Sequence, residues 1–206
     1  MGWTILALAL AYLLGSVPGG LLLGHLAGVN LRAVGSGNAG ATNALRAKGP
    51  LFGVAVFAFD AGKGIAAVLV LPLLAGEVAW LPVACAGAVI VGHVFPAWFG
   101  FRGGKGFATA LGTILALAPL GLAPVAGVWV IVLLLAGFVS AATLTAALAW
   151  PIFVACMWAL DRPALLWFAI ALAVFLFFTH RDNLRRLTRN EEHRFQKVWL
   201  PGYVRR

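Results

Sequence analysis

Acidic side chains are nearly missing from this chain: six Asp and Glu stand against fifteen Lys and Arg in 206 residues, and charge of both signs reaches only 10%. So little charge excludes a soluble globular domain, in which about a quarter of the residues are charged. Cysteine is as scarce. Cys85 and Cys156 both lie in apolar runs, which rules out a disulfide framework and gives no metal site. No histidine has an acidic residue four positions later, and no nucleophile elbow, zinc motif or paired-carboxylate pattern occurs. Covalent catalysis by a triad-activated serine is therefore excluded.

What is present is oil. Hydrophobic residues make up 63% of the chain and the mean hydropathy is +1.00, the range of polytopic membrane proteins. A hydrocarbon core of about 30 Å needs about 20 apolar residues per helix, so the length allows roughly six to eight crossings and no separate soluble domain. The first apolar run starts at Trp3 without a basic leader or a clear cleavage site, and is expected to be a mature span.

Charges and Gly/Pro breaks delimit apolar runs near 3–24, 51–76, 78–98, 107–118, 120–137, 141–160 and 164–179. The expected fold is an all-α polytopic membrane protein of seven transmembrane helices, several of them short or broken, forming one domain over residues 1–206. Arg32, Arg46, Lys48, Arg102, Lys105 and eight cations from Arg181 onward fall on one side of the membrane. The positive-inside rule makes that side cytoplasmic, with the N-terminus outside and the C-terminus inside. Residues 107–117 would cover only about half a bilayer at 1.5 Å per residue, so they either cross as a tilted, thin pair with the next helix or enter as a re-entrant hairpin.

The polar chemistry collects in three inward-facing segments: "GSGNAGATNALRAKG", "GHVFPAWFGFRGGKGFATALG" and "THRDNLRRLTRNEEHR". In the first, Gly35, Gly37 and Gly40 permit positive φ and close backbone approach, so successive N–H groups can converge on an anion. Ser36, Thr42 and Asn43 add donors, and Arg46 a fork suited to phosphate. The literal G-x-G-x-x-G is not a dinucleotide fingerprint, because membrane spans flank it where a strand and a helix of a βαβ unit are required. The glycines also suit a plain turn joining two spans.

In the second segment, "GFRGGKG" precedes an apolar helix and is expected to offer free N–H groups beside Arg102 and Lys105, a second anion site. It is not a Walker A loop, since Gly106 follows Lys105 where Ser or Thr would be needed. In the third, His180 and Asn183 share a helical face at the membrane boundary. The remainder, "RRLTRNEEHRFQK", alternates in sign and reads as a solvated helix on the lipid surface, His193 included. His25 and His93 rank as packing or interfacial residues. Asp60 and Lys63, three apart inside a span, are either a functional relay or a structural clasp.

Together "GSGNAGATNALR", "GHVFPAWFGFRGGKG" and "HRDNLRRL" resemble the three signature motifs of the bacterial membrane acyl-phosphate:glycerol-3-phosphate acyltransferases, the PlsY family, over nearly the whole chain. That resemblance implies transfer of a fatty acyl group from acyl phosphate to the 1-hydroxyl of sn-glycerol 3-phosphate, giving lysophosphatidic acid and phosphate in the first acylation of phospholipid synthesis. It implies a catalytic set of Ser36, Arg46, Lys105, His180 and Asn183. Substrate would be bound by Gly35, Gly37, Asn38, Gly40, Thr42, Asn43, Gly103, Gly104, Gly106 and Ser140. It implies no metal, cofactor, nucleic acid or obligatory protein partner, and a place in the bacterial inner membrane with the active site on the cytoplasmic face. A membrane transporter or flippase for a phosphate-bearing solute, using Asp60 and Lys63 as a relay, is the competing class.

Overall fold

The computed structural model describes residues 1–196 and 199–200, and among these every regular element is helical. Contacts divide the chain into two compact units, Met1–Ala118 and Pro119–Arg206.

The first unit opens with a broken helix. α1 (Gly2–Gly15) and α2 (Gly19–Leu26) are bent by 49° at Ser16–Pro18. Pro18 has no N–H to donate, and it drives the preceding residue out of helical geometry. The run expected over 3–24 is thus two pieces, and the break leaves main-chain groups needing partners. After a loop, α3 (Ala41–Lys48) leads through Gly49, at φ +90°, into α4 (Pro50–Leu69). Proline at the first position of α4 costs nothing, because that N–H would have no intrahelical acceptor. α5 (Leu81–Val94) and the short α6 (Phe107–Leu117) complete the unit.

These helices meet backbone to backbone. A Cβ on Gly15 would run into the Val89 carbonyl, and one on Gly92 into that of Tyr12, which presses α1 against α5. Gly64 meets Thr109 and Gly112 meets Ala61 in the same way between α4 and α6. Small residues at such crossings allow the close approach by which helices associate where lipid removes the hydrophobic drive.

The second unit holds α7 (Pro119–Ala136), α8 (Val139–Trp158), α9 (Pro163–Thr179) and α10 (Arg181–Thr188). Gly121 lies under the Trp150 ring, Trp129 Nε1 donates to Thr143 Oγ1 at 3.2 Å, and α9 and α10 are bent by 59°. Beyond α10 the chain does not continue as the solvated helix expected from its alternating charges. It returns to the α7–α8 turn, where Phe195 N–H donates to Gly137 O at 2.6 Å and Arg194 stacks on Phe138, 4.6 Å from the ring centroid.

Among the described residues four helices are long and apolar enough to cross a membrane, or up to six if each bent pair is one span, and the eleven-residue α6 is the expected short one. Leu51 is 85% exposed and Ile152 63%. Large apolar side chains turned outward along spans of this kind suit contact with lipid rather than water.

Candidate active site

In the first unit, the loop between α2 and α3 is built around Asn43. This residue is 2% exposed. Its Nδ2 donates to the carbonyls of Leu31, Val34 and Asn38 at 2.9, 3.0 and 3.0 Å, and its Oδ1 accepts the Ser36 N–H at 3.0 Å. The expectation that Asn43 donates to phosphate needs correcting: both amide hydrogens are spent on the loop itself, so it shapes the turn. Gly35 and Gly37 do adopt positive φ, +57° and +68°, and a side chain on Gly35 would strike Asn43 Oδ1. Gly40 differs from expectation. It is extended, at φ −96°, and serves as the N-cap of α3. Leu31, Ala44 and Val56 form a small buried cluster that fixes the loop on α4. Ser36 and Arg46 are exposed, while Asn38 and Thr42 are half-buried.

The second loop follows α5. Gly103 N–H donates to Val94 O at 3.0 Å and Gly104 N–H to His93 O at 3.1 Å. These two N–H groups fold the turn back on α5, and the ones expected to be free are those at the start of the helix that follows. Any backbone donation to a ligand must come from further along, where Gly106 at φ +87° caps α6 and Lys105 beside it is half-buried. A Cβ on Gly103 would meet the His93 carbonyl, and one on Gly104 the His93 ring.

Arg32, counted in the sequence only as a cation of the inner side, joins the two loops. Its Nη2 donates to Phe99 O at 2.9 Å and also to Arg102 O. The guanidinium is suited to this because its planar fork offers several donors in fixed directions.

Asp60 and Lys63 are a clasp on the broken helix. Asp60 Oδ1 accepts the Gly19 N–H, the exposed start of α2, at 2.9 Å. Lys63 Nζ donates to the carbonyls of Gly15 and Val17, each at 3.0 Å, and lies 2.9 Å from Asp60 Oδ1. A buried charge pair survives in such a place when its remaining hydrogen-bonding capacity is also satisfied, and here the helix break supplies the partners. His93 completes the cluster, with Nδ1 2.9 Å from Lys63 Nζ and 3.3 Å from Asp60 Oδ1. This histidine, ranked as packing, was missed as a member.

In the second unit, Ser140 at the start of α8 and Asn183 on α10 both donate to Glu192, which sequence reasoning left among solvated charges. The distances to Oε1 are 3.0 Å from Ser140 Oγ and 2.6 Å from Asn183 Nδ2, and Arg186 Nε donates to Oε2 at 2.7 Å. Burial opposes ionisation of Glu192, but these three hydrogen bonds and the Arg186 charge outweigh it and hold the carboxyl below its ordinary value. His180, between α9 and α10 and 5% exposed, has Nδ1 2.8 Å from Leu176 O. A carbonyl only accepts, so Nδ1 carries a proton and a neutral ring keeps Nε2 as an acceptor.

Glycine turns and cations set on broken apolar helices define a polytopic membrane protein. Comparison with known proteins narrows the class. The family model for glycerol-3-phosphate acyltransferase matches residues 5–190. The glycerol-3-phosphate acyltransferase of Geobacter sulfurreducens is 41% identical over 189 residues, 91% of this chain and 95% of the relative. The crystal structure of PlsY (YgiH), an integral membrane glycerol 3-phosphate acyltransferase, in its glycerol 3-phosphate form matches with a TM-score of 0.87 and 38% identity, covering 93% of this chain and 95% of that one. Its lysophosphatidic acid form matches with a TM-score of 0.85 and 37% identity, covering 93% and 94%. The chain belongs to the glycerol-3-phosphate acyltransferase family.

Proposed function

We propose that this protein transfers a fatty acyl group from acyl phosphate to the 1-hydroxyl of glycerol 3-phosphate, releasing lysophosphatidic acid and inorganic phosphate as the first acylation of phospholipid synthesis. The observation that carries the reading is the pair of glycine-rich, cationic loops that Arg32 ties together within one unit, in a chain whose family acts on a phosphate ester. Both substrates bear phosphate, and two loops of this kind answer that need. The acyl tail lies in lipid while glycerol phosphate arrives from water. We place the protein in the bacterial inner membrane with seven spans, the N-terminus outside and these loops on the cytoplasmic face.

Acyl phosphate is a mixed anhydride with a good leaving group, so no nucleophile from the enzyme is required. The substrate hydroxyl oxygen bonds to the acyl carbon, the bond from that carbon to the phosphate oxygen breaks, and the hydroxyl proton passes to a phosphate oxygen. What the protein supplies is position and charge. Arg46 and Lys105 neutralise phosphate. Ser36 and Asn183 give hydrogen bonds that position the phosphates, Ser140, whose one hydrogen goes to Glu192 Oε1, accepts from the hydroxyl, and His180 orients the hydroxyl through Nε2. Gly103, Gly104 and Gly106 shape the glycerol-phosphate pocket.

The test is direct. Purified protein in detergent, given palmitoyl phosphate and glycerol 3-phosphate, should form lysophosphatidic acid and phosphate in equal amounts with no second protein. Absence of product, together with flux of a phosphate-bearing solute in liposomes, would instead make it a transporter, and an acylated protein intermediate would defeat direct attack.

A further inference from the structure

The Asp60–Lys63–His93 cluster does more than close the break between α1 and α2. His93 is 3% exposed and grips the second loop in two ways. Its carbonyl accepts the Gly104 N–H at 3.1 Å, and its ring tip abuts Gly104, with Nε2 the atom nearest to where a Gly104 Cβ would stand. The opposite ring nitrogen, Nδ1, is 2.9 Å from Lys63 Nζ. A lysine ammonium has donors only. Gly15 O, Val17 O, Asp60 Oδ1 and Nδ1 together surround its three hydrogens, so one hydrogen is shared, and Nδ1 facing the ammonium at 2.9 Å is placed as an acceptor, which leaves the proton of a neutral ring on Nε2. The alternative partner of Nδ1, Asp60 Oδ1, is farther away at 3.3 Å and already accepts from Gly19 N–H and Lys63.

We propose that Lys63, held by Asp60, is a positioning residue that fixes His93 with its proton on Nε2, so that an N–H donor faces the Gly103–Lys105 turn where glycerol phosphate is bound. The inference rests on the functional reading above for what the turn holds. It gives the intramembrane charges a second duty. The orientation of one ring dipole at the loop is set by an ion pair on another helix, in the way that the partner of one imidazole nitrogen determines what the other can do. Without the Lys63 donor, Asp60 is left as the natural partner of Nδ1, the proton moves there, and the turn then faces a lone pair that repels phosphate.

Two measurements test it. Histidine-labelled protein in bilayers is examined by 15N NMR, with His93 assigned by the signal lost in His93→Gln. The wild type should show Nε2 protonated and Nδ1 bare, and Lys63→Met should exchange the two. In steady-state kinetics, Lys63→Met and His93→Asn should each raise KM for glycerol 3-phosphate about tenfold or more, with a smaller change in KM for palmitoyl phosphate. His93→Gln, whose amide reaches as far as Nε2, should recover part of the loss. A wild-type spectrum with the proton on Nδ1 overturns the proposal, as do folded Lys63→Met and His93→Asn proteins whose glycerol 3-phosphate KM stays within about twofold of wild type. If Lys63→Met does not fold, the wild-type spectrum and His93→Asn still decide. If the wild type transfers no acyl group, the functional reading fails while the spectrum still decides where the proton sits.

Discussion

Ser140 and Asn183 converge on a single atom: the hydroxyl of one and the amide of the other donate to Glu192 Oε1, at 3.0 and 2.6 Å. Two residues proposed to position substrate are thus held in place by a carboxylate from beyond α10. Replacing Glu192 by Gln removes the charge that Arg186 pairs with at 2.7 Å and should cost about 1.5–3 kcal/mol of stability, the worth of a hydrogen bond to a charged group. The pH dependence has a defined sign. The folded carboxyl titrates below its ordinary value of 4.5, so its contribution is fully present above that value and is lost as pH falls through the lowered one. Thermal melts of wild type and E192Q in detergent should therefore differ at neutral pH and approach one another in acid. A gap that does not change with pH would show that the Glu192 charge is not what stabilises the wild type.

Asn43 permits a sharper test, because Asp keeps its shape. N43D retains an oxygen for the Ser36 N–H but turns a second oxygen toward the carbonyls of Leu31, Val34 and Asn38, at a position 2% exposed. Buried acceptors facing acceptors lose their hydrogen bonds and gain repulsion, at about 1–3 kcal/mol for each polar group left unsatisfied. N43D should lower the melting temperature more than N43A does, and both should abolish most acyl transfer through loss of the loop. If N43D kept full activity and stability, the clasp role of Asn43 would be wrong.

How far the sequence could be read follows from where each partner lies. The glycine turns and the short α6 are local, written in a few adjacent residues whose conformational preferences act on their own. The positive φ at Gly35 and Gly37 follows the expected pattern. What was not legible depends on a distant partner. Asn43 carries the same amide whether it faces a ligand or its own loop, and only the fold directs it inward. His93 lies on a different helix from Asp60 and Lys63, and no periodicity links them. Arg32 looks like any inner-side cation until its two carbonyl acceptors, Phe99 and Arg102, are brought beside it. Glu192 stands in a run of alternating charge that is ordinarily solvated. Its burial comes from the chain turning back to Gly137.

Lys105 is half-buried between Gly104 and Gly106, neither of which carries a side chain. If its ammonium stabilises the departing phosphate, Lys105→Ala should lower the rate of transfer at least ~100-fold, the scale of losing one fixed electrostatic group from an active site. Initial rates with palmitoyl phosphate at saturating glycerol 3-phosphate give the answer, and near-normal turnover would remove Lys105 from the reaction.

His180 separates two routes for the proton. Its Nδ1–H donates to Leu176 O at 2.8 Å, which makes Nε2 the acceptor of a neutral ring. If the attacking hydroxyl gives its proton to a substrate phosphate oxygen, His180 need only orient that hydroxyl, and a glutamine can do much of this. H180Q should then keep the shape of the wild-type pH–rate profile, with kcat reduced by about tenfold, below the 10²–10⁴-fold that general bases typically contribute. An obligatory base would behave differently. H180Q would bind both substrates unchanged yet lose turnover together with the limb of the profile that reports ionisation of the imidazole, and direct attack assisted by the substrate would be the wrong mechanism.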